Sequence, residues 1–237
     1  MAGRGHTRRG GPRRVYSQNF LASRALAARL VAEVNVGPSD FVVEIGAGSG
    51  MLTAELARRA ERVRAVEVDP RWADKLRVRM QTLPNVEVVK GDALLVPLPA
   101  EPFRVIANIP FGATTDLLHR LLDDPSTPLI RADLLLQWEV ARKRAGRPRT
   151  ALSAQWSPWW RFRLAHRVPR TAFRPQPAVD AGLLTIERRG TPLLLPETHK
   201  SFADFVHAVF AGTLATELDA RRWAAIYAAY ETTNRAK

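Results

Sequence analysis

Cysteine is absent from all 237 residues. That absence excludes disulfides, thiolate metal sites and any mechanism built on a cysteine nucleophile, and it fits a reducing cytoplasm, the expected compartment. Long apolar runs are missing too. None approaches the ~18 residues of a membrane span, and the N-terminal stretch lacks the apolar segment of a secretory signal. Acidic residues are scarce: 23 stand against 36 lysines and arginines, for a formal charge of +13. Such an excess favours a polyanionic partner, and with membrane features missing that partner is nucleic acid. Lysine is itself rare, confined to Lys75, Lys90, Lys143, Lys200 and Lys237. Arginine suits phosphate forks and base stacking, but abundant alanine makes a GC-rich coding sequence an equal explanation. The five histidines (His6, His119, His166, His199, His207) show no HExxH spacing, and no GxSxG elbow accompanies them. Metal ligation and a hydrolase triad therefore lack support.

What is present organises into three segments. Residues 1–16 form a basic arm whose composition, rich in Gly and Arg and without an acid, predicts disorder. Arg4, Arg8, Arg9, Arg13 and Arg14 are its candidate RNA-phosphate contacts, the alternative being a solvated tail. Residues 17–189 alternate between apolar strands and amphipathic helices. The strands are FVVEI (41–45), RVRAVEV (62–68), NVEVVKGD (85–92), FRVIAN (103–108) and ADLLLQWE (132–139). Helical spacing recurs between them, in ALAARLVAEV, MLTAELARRA, RWADKLRVRM and TTDLLHRLLDD. This pattern predicts a doubly wound, mostly parallel sheet covered on both faces. RFRLAHRV (161–168) and AGLLTIERR (181–189) predict an antiparallel hairpin at its edge. Residues 190–237 are helical and too few to stand alone, so they should cap the main domain. The cluster Trp156-Ser-Pro-Trp159-Trp160 reads as buried packing rather than an RNA stacking surface.

The first strand runs into Glu44-Ile45-Gly46-Ala47-Gly48-Ser49-Gly50 and then a helix. Strand, glycine turn, helix is the geometry in which backbone N–H groups approach a ligand closely. Glycines at 46, 48 and 50 do not make the dinucleotide spacing GxGxxG. GxGxG after an acid resembles motif I of the S-adenosylmethionine methyltransferases. Glu67 ends the second strand, 17 residues past Gly50, where a carboxylate can accept ribose hydroxyls. Asp92 ends the third, placed either to accept from an adenine amine or to cap a turn.

The acceptor must be read elsewhere, because fold alone does not fix it. Asn108-Ile109-Pro110-Phe111 closes the fourth strand beside that pocket. An exocyclic amine is a poor nucleophile, since its lone pair is delocalised into the base. Accepting its N–H groups with an amide oxygen and a carbonyl localises that pair and favours direct displacement. Phe111 offers a ring on which a flipped base can stack.

SQNFL (17–21), EIGAGSG (44–50), VEVDP (66–70), GDAL (91–94), NIPF (108–111) and FRPQPAVDAGLL (173–184) occur in this order. Together they resemble the ribosomal RNA adenine-N6 methyltransferases, which include the small-subunit adenine dimethylases and the Erm macrolide-resistance enzymes. The resemblance implies the Rossmann-like fold of class I methyltransferases with a small helical C-terminal domain, and S-adenosyl-L-methionine as cofactor. It assigns cofactor contacts to Gln18, Asn19, Leu21, Gly46, Gly48, Gly50, Glu67, Val68, Asp92, Ala93 and Asn108. It assigns the target base to Asn108, Ile109, Pro110 and Phe111, with Phe173 on the base's other face, and it implies no metal. NIPF rather than NLPY, the SQNF start and the short tail lean towards the Erm branch. The expected substrate is then an adenine of 23S ribosomal RNA, met by a monomer before full ribosome assembly, with macrolide resistance as the outcome. A small-subunit (16S) dimethylase and a non-catalytic nucleic-acid-binding relative remain the alternatives.

Overall fold

In the computed structural model residues 19–109, 111–212 and 218–235 are described, with the backbone alone for Phe111, Asn234 and Arg235. Along the chain come β1 (Phe20–Leu21), α1 (Arg24–Glu33), β2 (Phe41–Ile45), α2 (Met51–Leu56), β3 (Arg62–Glu67) and α3 (Pro70–Met80). Then follow β4 (Val86–Lys90), β5 (Phe103–Asn108), α4 (Thr114–Leu122), β6 (Leu129–Gln137), α5 (Trp138–Arg144) and α6 (Ala151–Trp156). β7 (Trp160–Val168), β8 (Phe173–Arg174), β9 (Ala181–Arg188), α7 (His199–Gly212) and α8 (Ala220–Arg235) complete the order.

Seven strands form one sheet in the order β4-β3-β2-β5-β6-β9-β7. Period-two alternation divides its side chains between two apolar layers. Val42, Ile106, Leu135 and Leu183 face α1 and α2, while Val43, Val105, Leu134 and Leu184 face α4, α6, α7 and α8. Both faces are therefore covered, which is why these strands read as continuous apolar runs rather than as alternating ones.

The hairpin is at the edge, as its pattern indicates, and its register has a topological consequence. β9 runs antiparallel to β6 and β7 antiparallel to β9, so β7 points the same way as β2–β6. Its C-terminal end opens on the edge where β3 and β5 also end. The β7–β9 connection, which carries FRPQP, thus returns over that same edge.

The short helix α5 is not legible as such in the sequence. ADLLLQWE (132–139) reads as one strand, yet the strand stops at Gln137 and Trp138 opens α5. The Trp138 amide donates to the Asp180 carbonyl at 2.9 Å, a tertiary bond that turns the chain. Arg142, Lys143 and Arg144 fill the last turn of α5, where positive charge complements the helix dipole. A buried Arg104 closes another helix end. Its guanidinium donates to the Val34 and Asn35 carbonyls after α1 and to Asp40 Oδ2 at 2.6 Å.

The tryptophan cluster is core. Trp156, Trp159 and Trp160 are buried, and each indole N–H has an acceptor: Asp123 Oδ1 at 2.7 Å, the Leu194 carbonyl at 2.9 Å and the Leu122 carbonyl at 3.3 Å. Trp159 meets Phe202 of α7 edge-on at 5.8 Å, and Phe202 meets Tyr227 of α8 at 5.2 Å. The helical tail therefore shares a core with the sheet. Among the described residues, no helix is long and apolar enough to cross a membrane.

Candidate active site

The loop after β2 turns sharply because three glycines take left-handed backbone angles, with φ of 75° at Gly46, 50° at Gly48 and 78° at Gly50. Its backbone is tied down from β3. Gly46 and Ala47 both donate to the Val66 carbonyl, at 2.9 and 3.2 Å. Gly48 donates to Glu67 Oε2 at 2.7 Å, and Asp69 donates to Oε1 at 2.9 Å. Glu67 is thereby fixed and buried, and each oxygen keeps a second lone pair for a ligand. Val68 follows it, half-buried.

Asp92 resolves the choice between cap and ligand acceptor in favour of neither alone. Its Oδ1 accepts from the Leu94 amide at 2.9 Å, a turn cap, and Oδ2 leaves acceptor capacity on a half-buried carboxylate beside Ala93.

Asn108 ends β5 next to the glycine loop: a Cβ added at Gly46 would stand 3.2 Å from the Asn108 carbonyl oxygen. Asn108 Nδ2 donates to the Asn19 carbonyl at 2.6 Å. A carbonyl only accepts, so the amide nitrogen must face Asn19 and Oδ1 must face away, available as an acceptor. Ile109 turns into the core at 3% exposure.

Strand pairing brings Leu21 and Phe173 together. β1 pairs antiparallel with β8, setting Leu21 opposite Phe173, and both side chains join the apolar layer under α1 and α2. Leu21 can meet a ligand only through its backbone. Phe173 is 2% exposed, so no face of its ring is open to a base in this arrangement. Gln18, Pro110, the Phe111 side chain and Arg4, Arg8, Arg9, Arg13 and Arg14 lie outside the described residues.

Three residues of this region lie inside the motifs but were assigned no role by them. Glu44 is buried at 1% exposure, with Oε2 lacking a hydrogen-bond partner. Burial, with the Glu67 charge adding to it and Thr53 opposing it, pushes its carboxyl up to about 8. Asp180 clamps the loop that carries Phe173, accepting from the Arg170 amide at 2.8 Å and Arg167 Nε at 2.7 Å. Those two donors hold its carboxyl below the usual range. Phe20 lies on the glycine loop, and its signal was in plain view inside SQNFL.

This constellation fits a sulfonium nucleoside. The glycines leave no Cβ at the loop, two fixed carboxylates end β3 and follow β4, and the neutral acceptor of Asn108 stands at the adjacent strand end. The family model for ribosomal RNA adenine dimethylases matches residues 11–221. The chain belongs to the ribosomal RNA adenine dimethylase family. Within this dimethylase family an rRNA adenine N-6-methyltransferase of Corynebacterium diphtheriae is 45% identical over 199 residues, covering 84% of this chain and 77% of the relative. The mycinamicin-resistance protein MyrB of Micromonospora griseorubida is 40% identical over 204 residues, covering 85% of this chain and 64% of its own length. The crystal structure of the 23S rRNA methyltransferase ErmE superposes with a TM-score of 0.74 at 35% identity, covering 82% of this chain and 80% of that one. Family and fold together imply S-adenosylmethionine as the methyl donor.

Proposed function

We propose that this protein methylates N6 of an adenine in 23S ribosomal RNA, using S-adenosyl-L-methionine, and thereby protects ribosomes against macrolide-type antibiotics. The observation that carries the chemistry is the orientation of Asn108. Its Nδ2 is spent on the Asn19 carbonyl, so Oδ1 is left to accept from an incoming amine beside the glycine loop. S-adenosylmethionine supplies an electrophilic methyl group. In this role Asn108 Oδ1 draws electron density back onto the amine nitrogen as its N–H groups are held, which lowers the barrier to displacement. Glu67 and Asp92 orient the nucleoside through ribose hydroxyls and the adenine amine, and Gly46, Gly48 and Gly50 let the backbone approach the methionine part. Pro110 and Phe111 shape the base side.

The large-subunit substrate is supported by NIPF and by the likeness to ErmE, and the resistance outcome by the likeness to MyrB. The base must leave its helix to reach Asn108, and the working substrate in this reading is RNA before full ribosome assembly, met by a monomer in the cytoplasm. The basic segment 1–16 serves as an RNA arm, 17–189 as the catalytic domain and 190–237 as its helical cap.

The test incubates the protein with labelled S-adenosylmethionine and deproteinised 23S or 16S RNA, then maps modified adenines by primer-extension stops. A single stop in 23S RNA is expected. Transfer confined to 16S RNA would overturn the large-subunit assignment, and cofactor binding without transfer to either RNA would overturn catalysis.

A further inference from the structure

Strand alternation sends the two residues of β1 to opposite sides. Leu21 enters the core, and Phe20 turns onto the glycine loop. There its ring lies against the backbone of Gly48, where any added Cβ would overlap it, at 2.9 Å from Cδ1. On its other side is Trp72 in the first turn of α3, with ring centroids 4.7 Å apart at 52°. Lys75 Nζ covers the Trp72 ring at 4.9 Å. Phe20 is thus seated between the loop after β2 and the helix after β3.

This seat matters for Asn19. The β1–β8 ladder begins at Phe20, paired with Arg174, so Asn19 lies just beyond it. Among the described contacts, what holds the Asn19 carbonyl in place is the adjoining Phe20 and the Asn108 amide itself. We propose that Phe20 is a positioning residue for the methyl transfer: seated between Gly48 and Trp72, it fixes the Asn19 carbonyl that aims the Asn108 amide at the acceptor amine. The role rests on the function proposed above. Phe20 acts through Asn19 and Asn108, and the ring needs no contact with the base.

The test measures kcat by labelled methyl incorporation, cofactor Kd by calorimetry and RNA Kd by filter binding. Phe20→Ala should lower kcat at least tenfold while both Kd values stay within threefold of wild type. Trp72→Ala should act in the same direction. The double variant should be no slower than Phe20→Ala alone, because both remove one seat. Trp72→Phe, which keeps a ring, should restore most of the rate. Wild-type kcat in Phe20→Ala overturns the role, as does a loss lying wholly in cofactor affinity, which would make Phe20 a wall of the cofactor site. Should Phe20→Ala fail to fold, Trp72→Ala decides by the same criteria. A wild type that transfers no methyl overturns the function and this role with it, whereas an active wild type with an active Phe20→Ala overturns the role alone.

Discussion

Asn108 and Asn19, 89 positions apart in the chain, are joined by one hydrogen bond of 2.6 Å from the Asn108 amide to the Asn19 carbonyl. Because the bond consumes the donor end of the amide, it decides which end is left for chemistry. Replacing Asn108 by alanine removes that acceptor. Methyl transfer should fall by about a hundredfold or more, the scale seen when one oriented transition-state partner is lost. RNA affinity in a filter-binding assay should stay close to wild type. A fully active Asn108→Ala enzyme would refute the amine-holding role.

Glu67 is held by two backbone N–H donors on separate oxygens. In Glu67→Gln one of those donors faces an amide NH2 instead of a carboxylate oxygen. Charge-assisted bonds of this kind contribute about 1.5–3 kcal/mol. Ribose hydroxyls that donate to the carboxylate would lose the same charge assistance, so cofactor affinity measured by calorimetry should weaken by roughly ten- to a hundredfold. Unchanged cofactor affinity would remove Glu67 from the nucleoside site.

Glu44 makes stability depend on pH in an unusual direction for a carboxylate. Its folded value of about 8 lies above the ordinary value of 4.5, so between the two the folded chain holds a proton that the unfolded chain releases. The contribution is complete below pH 4.5, declines as pH rises and is gone above about 8. Its size is on the order of a few kcal/mol. Glu44→Gln, neutral at every pH, should flatten the fall in urea-unfolding stability between pH 5 and 8. A wild-type profile without that fall would show the carboxyl to be ionised in the folded chain.

Residues 1–14 carry five arginines and no acid. If each meets a phosphate, deleting the segment should reduce the slope of log K against log salt by about 0.7–0.9 per contact. RNA binding should weaken most at low salt. An identical slope in the truncated protein would return the arm to a solvated tail.

How far the sequence carried depends on whether local pattern or tertiary contact decides. β2, β3 and β5 match their runs because strands covered on both faces are rich in apolar residues, and the glycine loop announces itself by spacing. The break at Gln137 was hidden, since ADLLLQWE reads as one strand across it and the turn is set by the bond from Trp138 to Asp180, 42 residues on. Phe173 was placed beside the base by its motif, but its burial follows from pairing with Leu21, which local sequence does not record. Arg104 looks like a surface charge in FRVIAN and is instead a helix-end donor, because its neighbours Val34, Asn35 and Asp40 come from a distant stretch. Phe20 sat inside a recognised motif, yet its partner Trp72 belongs to none.

β1 is two residues long, and its partners lie later in the chain: Gly48, Trp72, Phe173 and Arg174, with Asn108 bonded to the adjoining Asn19. It is therefore made before every strand it joins and is among the last of the described strands to be seated. A nascent chain that has emerged only as far as β5 already holds the glycine loop and Glu67, but β8 has not yet emerged and β1 has no ladder to join. Competence for methyl transfer thus arrives late in synthesis, once β8 has emerged and β1 can join it.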